Sequence, residues 1–387
     1  MRIGLIAPPW VATPPPEYGG TELVVGELAV GLEAAGVEVS LFATGDSTSP
    51  VCRGWHHPRA LGTGYRPLPE LEHVAAAYDL LRDVDLVHDH TILGPHWARK
   101  RGLSVPIVTT NHGPFIPRMA AHFSRVHRRG VTVVAISHAH AATAPPGVVD
   151  RVIHHGLDPA RYPLGRGDGG YVAFLGRMCE EKGPHRAILA ARRAGIPIRL
   201  AAKVAEPAEK RFFREKVEPL LGPDAVFLGQ VGHEAKVELL QGAMALVNPI
   251  RWDEPFGLVM IESMLCGTPV VAFPEGSARE LVEDGLTGYR CADEGAIARA
   301  LQGIESFDRA ACRVRAIERF STERMVRNHL DLYRHVLGLG APPADVVRPA
   351  AHAAPVALGV APRRRTRIRA RSGASRRWAQ PPEAAAT

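Results

Sequence analysis

Short apolar runs alternate with helix-length amphipathic segments along most of the chain. Residues 3–7, 38–43, 84–88, 106–110 and 132–136 read as buried strands, and residues 21–35 as a helix that Gly36 ends. A stretch rich in turn formers, residues 156–170, interrupts the rhythm, which restarts with strand candidates at 171–175, 198–202, 225–228, 243–248 and 269–273. Strand and helix in alternation mean parallel sheet, so the pattern predicts an α/β protein of two doubly wound domains, at 1–158 and 159–321. Met325, Val326, Leu330, Leu332, Tyr333 and Val336 recur at helical spacing, and the helix they predict, 322–337 within a segment 322–340, packs on the body. Beyond Gly340 the chain turns to Ala, Pro and Arg with few large apolar residues, and residues 341–387 read as a disordered tail.

Composition sharpens this picture mainly through charge. The 387 residues carry a formal net charge of +7, but nine of the Arg and only Asp345 and Glu383 fall after Gly340, which leaves residues 1–340 neutral. A neutral body gives no reason to expect specific nucleic-acid binding, whereas the run from Arg363 to Arg371 suits an anionic membrane surface or simply a solvated tail. Five scattered cysteines, Cys52, Cys179, Cys266, Cys291 and Cys312, form no Cys-x-x-Cys pair, so neither a disulfide framework nor a zinc site is expected. A reduced, cytoplasmic setting fits, with the inner membrane face as the place for a peripheral contact. The first apolar run ends at Pro8-Pro9 and reads as a strand instead of a signal peptide, and no apolar stretch approaches the ~18 residues of a membrane span.

Doubly wound sheets hold ligands beyond the carboxyl ends of their strands, and two such domains facing one another make the site a cleft. The richest segment of this kind is 248–269, where a strand runs into a polar loop carrying Glu254. A helix then starts near Phe256, Gly257 and Leu258, carries Glu262 on its second turn, and ends at Gly267. Unsatisfied amides at that helix start suit a phosphate, and carboxylates suit the hydroxyls of a sugar or ribose. The plain alternative is a carboxylate favouring the helix dipole and one polar residue on an amphipathic helix.

Glu254-Pro255-Phe256-Gly257, the second Glu262, and Met264-Leu265-Cys266-Gly267-Thr268-Pro269 together resemble the signature of family 4 retaining glycosyltransferases. That resemblance implies the GT-B architecture: two Rossmann-like domains facing across a cleft, an acceptor-side amino-terminal domain and a donor-binding carboxy-terminal one, with a crossover helix. Gly176-Arg177 and Glu181-Lys182-Gly183, after the strand 171–175, are similar to the family's cations that grip the donor diphosphate. Fixed cations there stabilise the charge that grows on the leaving group. Gly19-Gly20-Thr21-Glu22 resembles the Gly-Gly loop near donor phosphate and acceptor, and is not the G-x-G-x-x-G of a nicotinamide enzyme. Asn111-His112-Gly113 matches the position of a histidine that touches the transferred sugar.

The resemblance therefore implies transfer of a hexose from a nucleoside diphosphate sugar to a glycan, lipid or small-molecule acceptor, with retention. His112, Arg177, Lys182 and Glu254 are the catalytic candidates. Gly19, Gly20, Phe256, Gly257, Leu258 and Glu262 join Arg177, Lys182 and Glu254 as donor-binding candidates, Glu262 on the ribose and Glu254 on the sugar. No cofactor and no metal are expected: His88-Asp89-His90 has ligand types but no third partner in view, and Asp83-Val84-Asp85 runs into a strand. Two departures from the family pattern stand out, His155 where Asn is usual and a loop at 274–280 without the usual Pro before its Glu. A nucleotide-sugar epimerase or hydrolase on the same architecture, and a non-catalytic nucleotide-sugar sensor, are the competing readings.

Overall fold

A computed structural model describes residues 1–17, 19–62 and 64–340. The expectation of a disordered tail at 341–387 lies outside the described residues.

Among the described residues thirteen strands form two sheets, both parallel throughout. The first comprises β1 (Arg2–Ile6), β2 (Glu38–Ala43), β3 (Cys52–Trp55), β4 (Leu86–Asp89), β5 (Ile107–Thr110), β6 (Val131–Ala135) and β7 (Arg151–Val152), in the order β3-β2-β1-β4-β5-β6-β7. The second comprises β8 (Val172–Arg177), β9 (Ile198–Lys203), β10 (Ala225–Gly229), β11 (Leu246–Asn248), β12 (Val270–Ala272) and β13 (Gly288–Arg290), in the order β10-β9-β8-β11-β12-β13. In each sheet the chain order reverses beside the first strand, between β1 and β4 and between β8 and β11. Such a switch point opens a crevice at the strands' carboxyl ends.

All ten strands read from the apolar pattern are present, nine of them mostly buried, while β10 at the sheet edge leaves Val226 and Leu228 exposed. The pattern missed β3, β7 and β13. β3 is an edge strand whose residues Arg53 and Trp55 face solvent, so it carries no apolar run; β7 and β13 have only two and three residues. The run read as strand 243–248 forms β11 only from Leu246: the Ala243 amide still donates back to Leu239 of the preceding helix His233–Gly242, while Met244 already donates to the Tyr171 carbonyl at 2.8 Å.

Apolar side chains fill both faces of each sheet. The carboxy-terminal helix Thr322–Val336 ends one residue short of its predicted span and buries Met325, Val326, Leu330, Leu332 and Tyr333 among Val24, Val25, Leu28 and Leu32 of the first domain. The chain thus crosses back after the second sheet. The crossing is pinned where Leu157 donates to the Phe320 carbonyl at 2.9 Å and accepts from the Thr322 amide at 3.0 Å.

Candidate active site

The carboxyl ends of the two sheets enclose a cavity of about 560 Å³. Every site residue chosen from the sequence lines it: Gly19, Gly20 and His112 from the first domain, and Arg177, Lys182, Glu254, Phe256, Gly257, Leu258 and Glu262 from the second.

Three loops build the second domain's side of the cavity. Arg177 is the last residue of β8, and Lys182 lies in the turn before the helix Pro184–Ala194. That turn is tied to the loop after β11, because the Arg251 amide donates to the Glu181 carbonyl at 2.8 Å and Arg186 Nε to the Pro249 carbonyl at 3.1 Å. Lys182 consequently reaches Glu254 as an ion pair, both side chains mostly buried. The indole Nε1 of Trp252 donates to the same carboxylate at 2.7 Å, so Glu254 is held from two sides. Arg177 lies 3.4 Å from Glu209, a residue of the helix Pro207–Phe212. The loop after β12 closes the far side: the Ser277 amide donates to the Glu254 carbonyl at 3.0 Å and its hydroxyl to the Phe256 carbonyl.

Gly257, at a φ of +82°, stands in the left-handed region, so the helix begins after it as Leu258–Leu265 and not at Phe256 or Gly257. No side chain caps this start, and Gly257, Leu258 and Val259 line the cavity. Gly19 likewise precedes the helix Gly20–Ala34 without a side-chain cap, so two uncapped helix starts meet at one cavity. Their partial positive charge adds to that of Arg177 and Lys182, which makes the space suited to a dianionic group.

Glu262 is buried on the second turn of its helix, where Lys236 pairs with it and the Tyr162 hydroxyl donates to it at 3.1 Å. Sequence reasoning missed both partners. They stand 26 and 100 residues away in the chain, and a lone Lys on an exposed helix or a Tyr in a turn-rich break signals nothing by itself. Glu209 was missed for the same reason, and Glu22 was quoted with the Gly-Gly loop but given no role of its own. Glu22 lines the cavity from the first turn of its helix, and burial raises its carboxyl to about 7.

His155 stacks on His112 with ring centroids 5.3 Å apart and an interplanar angle of 17°, and meets Phe256 edge-on at 4.8 Å. An aromatic wall therefore stands where the family usually has an amide, and it helps hold the His112 ring. In the other departing loop, Glu280 accepts from the amides of His138 and Ala139 at 3.1 and 2.9 Å and from His154 at 2.8 Å, which ties the two domains together. Burial opposes its ionised form, yet the His154 bond and the two amides prevail and hold this carboxyl at about 2.

His88 and His90, weighed above as metal ligands, have other partners. His88 bonds Tyr333 and Thr110 through its two ring nitrogens, and His90 bonds His112.

At Gly276, φ is +50° and a Cβ would collide with the backbone of Glu254. The substitution Gly276→Ala is expected to push the Glu254 loop out of register and lower kcat about a hundredfold, the usual effect of a displacement near 1 Å. Circular dichroism should show an unchanged fold, and wild-type kcat would show that Glu254 need not sit where it does.

Two glycosyltransferase domain families match the chain in tandem: Glycosyltransferase Family 4 over residues 18–161 and Glycosyl transferases group 1 over residues 163–316. The fold and the cavity between its sheets thus define a GT-B glycosyltransferase class, and the chain belongs to the family 4 glycosyltransferases. Glycogen synthase of Mycobacterium tuberculosis is 29% identical over 60% of this chain and 62% of its own length, so the aligned part spans less than two thirds of that relative. Alpha-maltose-1-phosphate synthase of the same organism is 28% identical over 87% of this chain and 100% of its own. Among solved structures, sucrose-phosphate synthase of Thermosynechococcus elongatus superposes with a TM-score of 0.72 at 23% identity, covering 88% of this chain and 100% of that one. Anabaena Alr3699/HepE, solved with UDP and glucose, gives 0.68 at 19% identity, covering 87% and 100%.

Proposed function

We propose that this protein transfers a hexose from a nucleoside diphosphate sugar to an acceptor hydroxyl, with retention at the anomeric carbon and without a metal ion. The observation that carries the reading is the convergence of Arg177, Lys182 and the uncapped start of Leu258–Leu265 on one cavity with Glu254 and Glu262. A diphosphate takes the cationic end, and the two carboxylates accept from hydroxyls on either side of it.

In this reading donor binding exchanges partners. Lys182 turns from Glu254 to the diphosphate, and Glu254 turns to hydroxyls of the sugar. Glu262, oriented by Tyr162 and Lys236, accepts from the ribose hydroxyls. The bond from the anomeric carbon to phosphate oxygen breaks as the acceptor oxygen bonds to the same face, and the acceptor proton passes to the departing phosphate oxygen. Charge gathers on that phosphate, so cations and amides fixed beforehand stabilise the transition state more than the bound donor. Binding of UDP and UDP-glucose by structural relatives supports a nucleotide-sugar donor. Among the described residues no helix is long and apolar enough to cross a membrane. A cytoplasmic location, with the Arg-rich tail as a contact for anionic lipid, remains part of the proposal.

Thermal shift against a panel of nucleotide sugars, with EDTA present throughout, tests this. A true donor at a hundredfold excess over its Kd stabilises the fold by ~2.7 kcal/mol. NMR of the product should show a glycoside with the donor's anomeric configuration, formed undiminished in EDTA. Activity lost to EDTA and restored by a divalent ion would refute the metal-free reading, and free sugar as the sole product would make the protein a hydrolase.

A further inference from the structure

His112 reaches the cavity from the loop after β5, and one of its ring nitrogens is already committed. Its Nε2 lies 2.9 Å from Nδ1 of His90, the residue that follows β4. His90 is buried, and its second nitrogen, Nε2, has no hydrogen-bond partner. The ring is nevertheless fixed. It packs on His88 at a centroid distance of 4.0 Å, and His88 is pinned through Nδ1 to the Tyr333 hydroxyl at 2.7 Å and through Nε2 to the Thr110 hydroxyl at 2.8 Å. His155 covers His112 from the other side.

Both rings are neutral, since burial among other imidazoles pushes each pKa down. Two neutral imidazoles joined by one hydrogen bond have two proton arrangements. With its proton on Nε2, His90 would bury an N–H that faces no acceptor, and orphaned buried N–H groups are the rarer and costlier defect. A bare lone pair in the same place is better tolerated. The His90 proton therefore belongs on Nδ1, where it donates to Nε2 of His112. With Nε2 accepting, the single proton of His112 is left on Nδ1.

We propose that His90 is a positioning residue that locks His112 in its Nδ1–H tautomer, so that His112 offers the transferred sugar a hydrogen-bond donor and not a base. The proposal deepens the function above and rests on its reading that His112 touches the sugar. It also accounts for a histidine in a site where the acceptor proton goes to phosphate: a ring whose one uncommitted nitrogen carries a proton cannot compete for that one.

Long-range nitrogen-15 NMR of the labelled full chain tests the tautomer directly in the free protein, with His112 assigned by the signals lost in His112→Ala. The expected pattern is a protonated Nδ1 and an unprotonated Nε2. It decides the tautomer whichever nucleotide sugar is the donor. With UDP release from UDP-glucose as the turnover probe, His90→Leu should lower kcat by about tenfold to a hundredfold while the donor KM stays near wild type. His90→Asn places an amide N–H where Nδ1–H was and should restore most of that loss. An Nε2–H tautomer in the wild-type protein overturns the proposal, and so does wild-type turnover in His90→Leu beside a crippled His112→Ala. Wild-type turnover in His112→Ala would instead sink the sugar contact on which the proposal rests.

Discussion

Replacing Arg177 or Lys182 by Ala is expected to lower kcat about a hundredfold each, or ~2.7 kcal/mol of transition-state stabilisation, with the fold intact. Each side chain brings a full positive charge to the cavity end where the helix Leu258–Leu265 starts. Lys182 is the more telling of the two. Its removal also leaves the mostly buried Glu254 carboxylate without its cation, though the Trp252 indole still donates to it. Lys182→Ala should therefore cost some stability as well as turnover, and so should Arg177→Ala, which leaves the buried Glu209 carboxylate to its backbone donors at Ala205 and Glu206. Single-turnover rates at saturating donor, measured beside urea unfolding, separate the two effects. Wild-type rates in both variants would remove the diphosphate from this end of the cavity, and the proposed enzyme with it.

The second large effect is on stability in mild acid. Burial depresses His73, His140 and His329 to about 4 and pushes His88, His90 and His155 well below the usual histidine range. Each has a folded pKa below its unfolded value near 6.5, so its contribution is complete above pH 6.5 and is lost as pH falls toward 4. Through that window the unfolded chain binds protons that the folded protein refuses. Each imidazole steepens the fall by up to about 1.4 kcal/mol per pH unit, so several together are large against a total stability of about 5–15 kcal/mol for a typical fold. The urea midpoint should drop between pH 7 and pH 5, a loss that Glu22 and Asp89, both raised to about 7 by burial, offset in part by taking up protons in the folded state. A midpoint constant across that range would mean that the histidines take up protons in the folded state.

The two predictions draw on different layers of the molecule, and these were legible in the sequence to different degrees. Arg177, Lys182, Glu254 and Glu262 were found because they lie at the carboxyl end of a strand, in the loop after it or on the helix that follows, where parallel sheets present ligand-binding groups. Their local spacing also resembles a known signature. The histidines were harder. His88-Asp89-His90 looked like ligand types in a loop, and nothing in its spacing announced that His88 would meet Tyr333 from a helix 245 residues further on. Edge strand β3 escaped notice because a strand exposed along one side carries no apolar run.

Along the chain, then, apolar periodicity and turn residues determined two parallel sheets, their break near residues 156–170, and the loops in which chemistry had to lie, because these are local consequences of burial and backbone geometry. Which charges meet was decided only in three dimensions. Lys236 and Tyr162 on Glu262, Glu209 on Arg177, and the His90 to His112 bond all depend on where separate strands end relative to one another. Pairing energies fall off within a few ångströms while sequence separation runs to a hundred residues and more, so no pattern read along one dimension contains them.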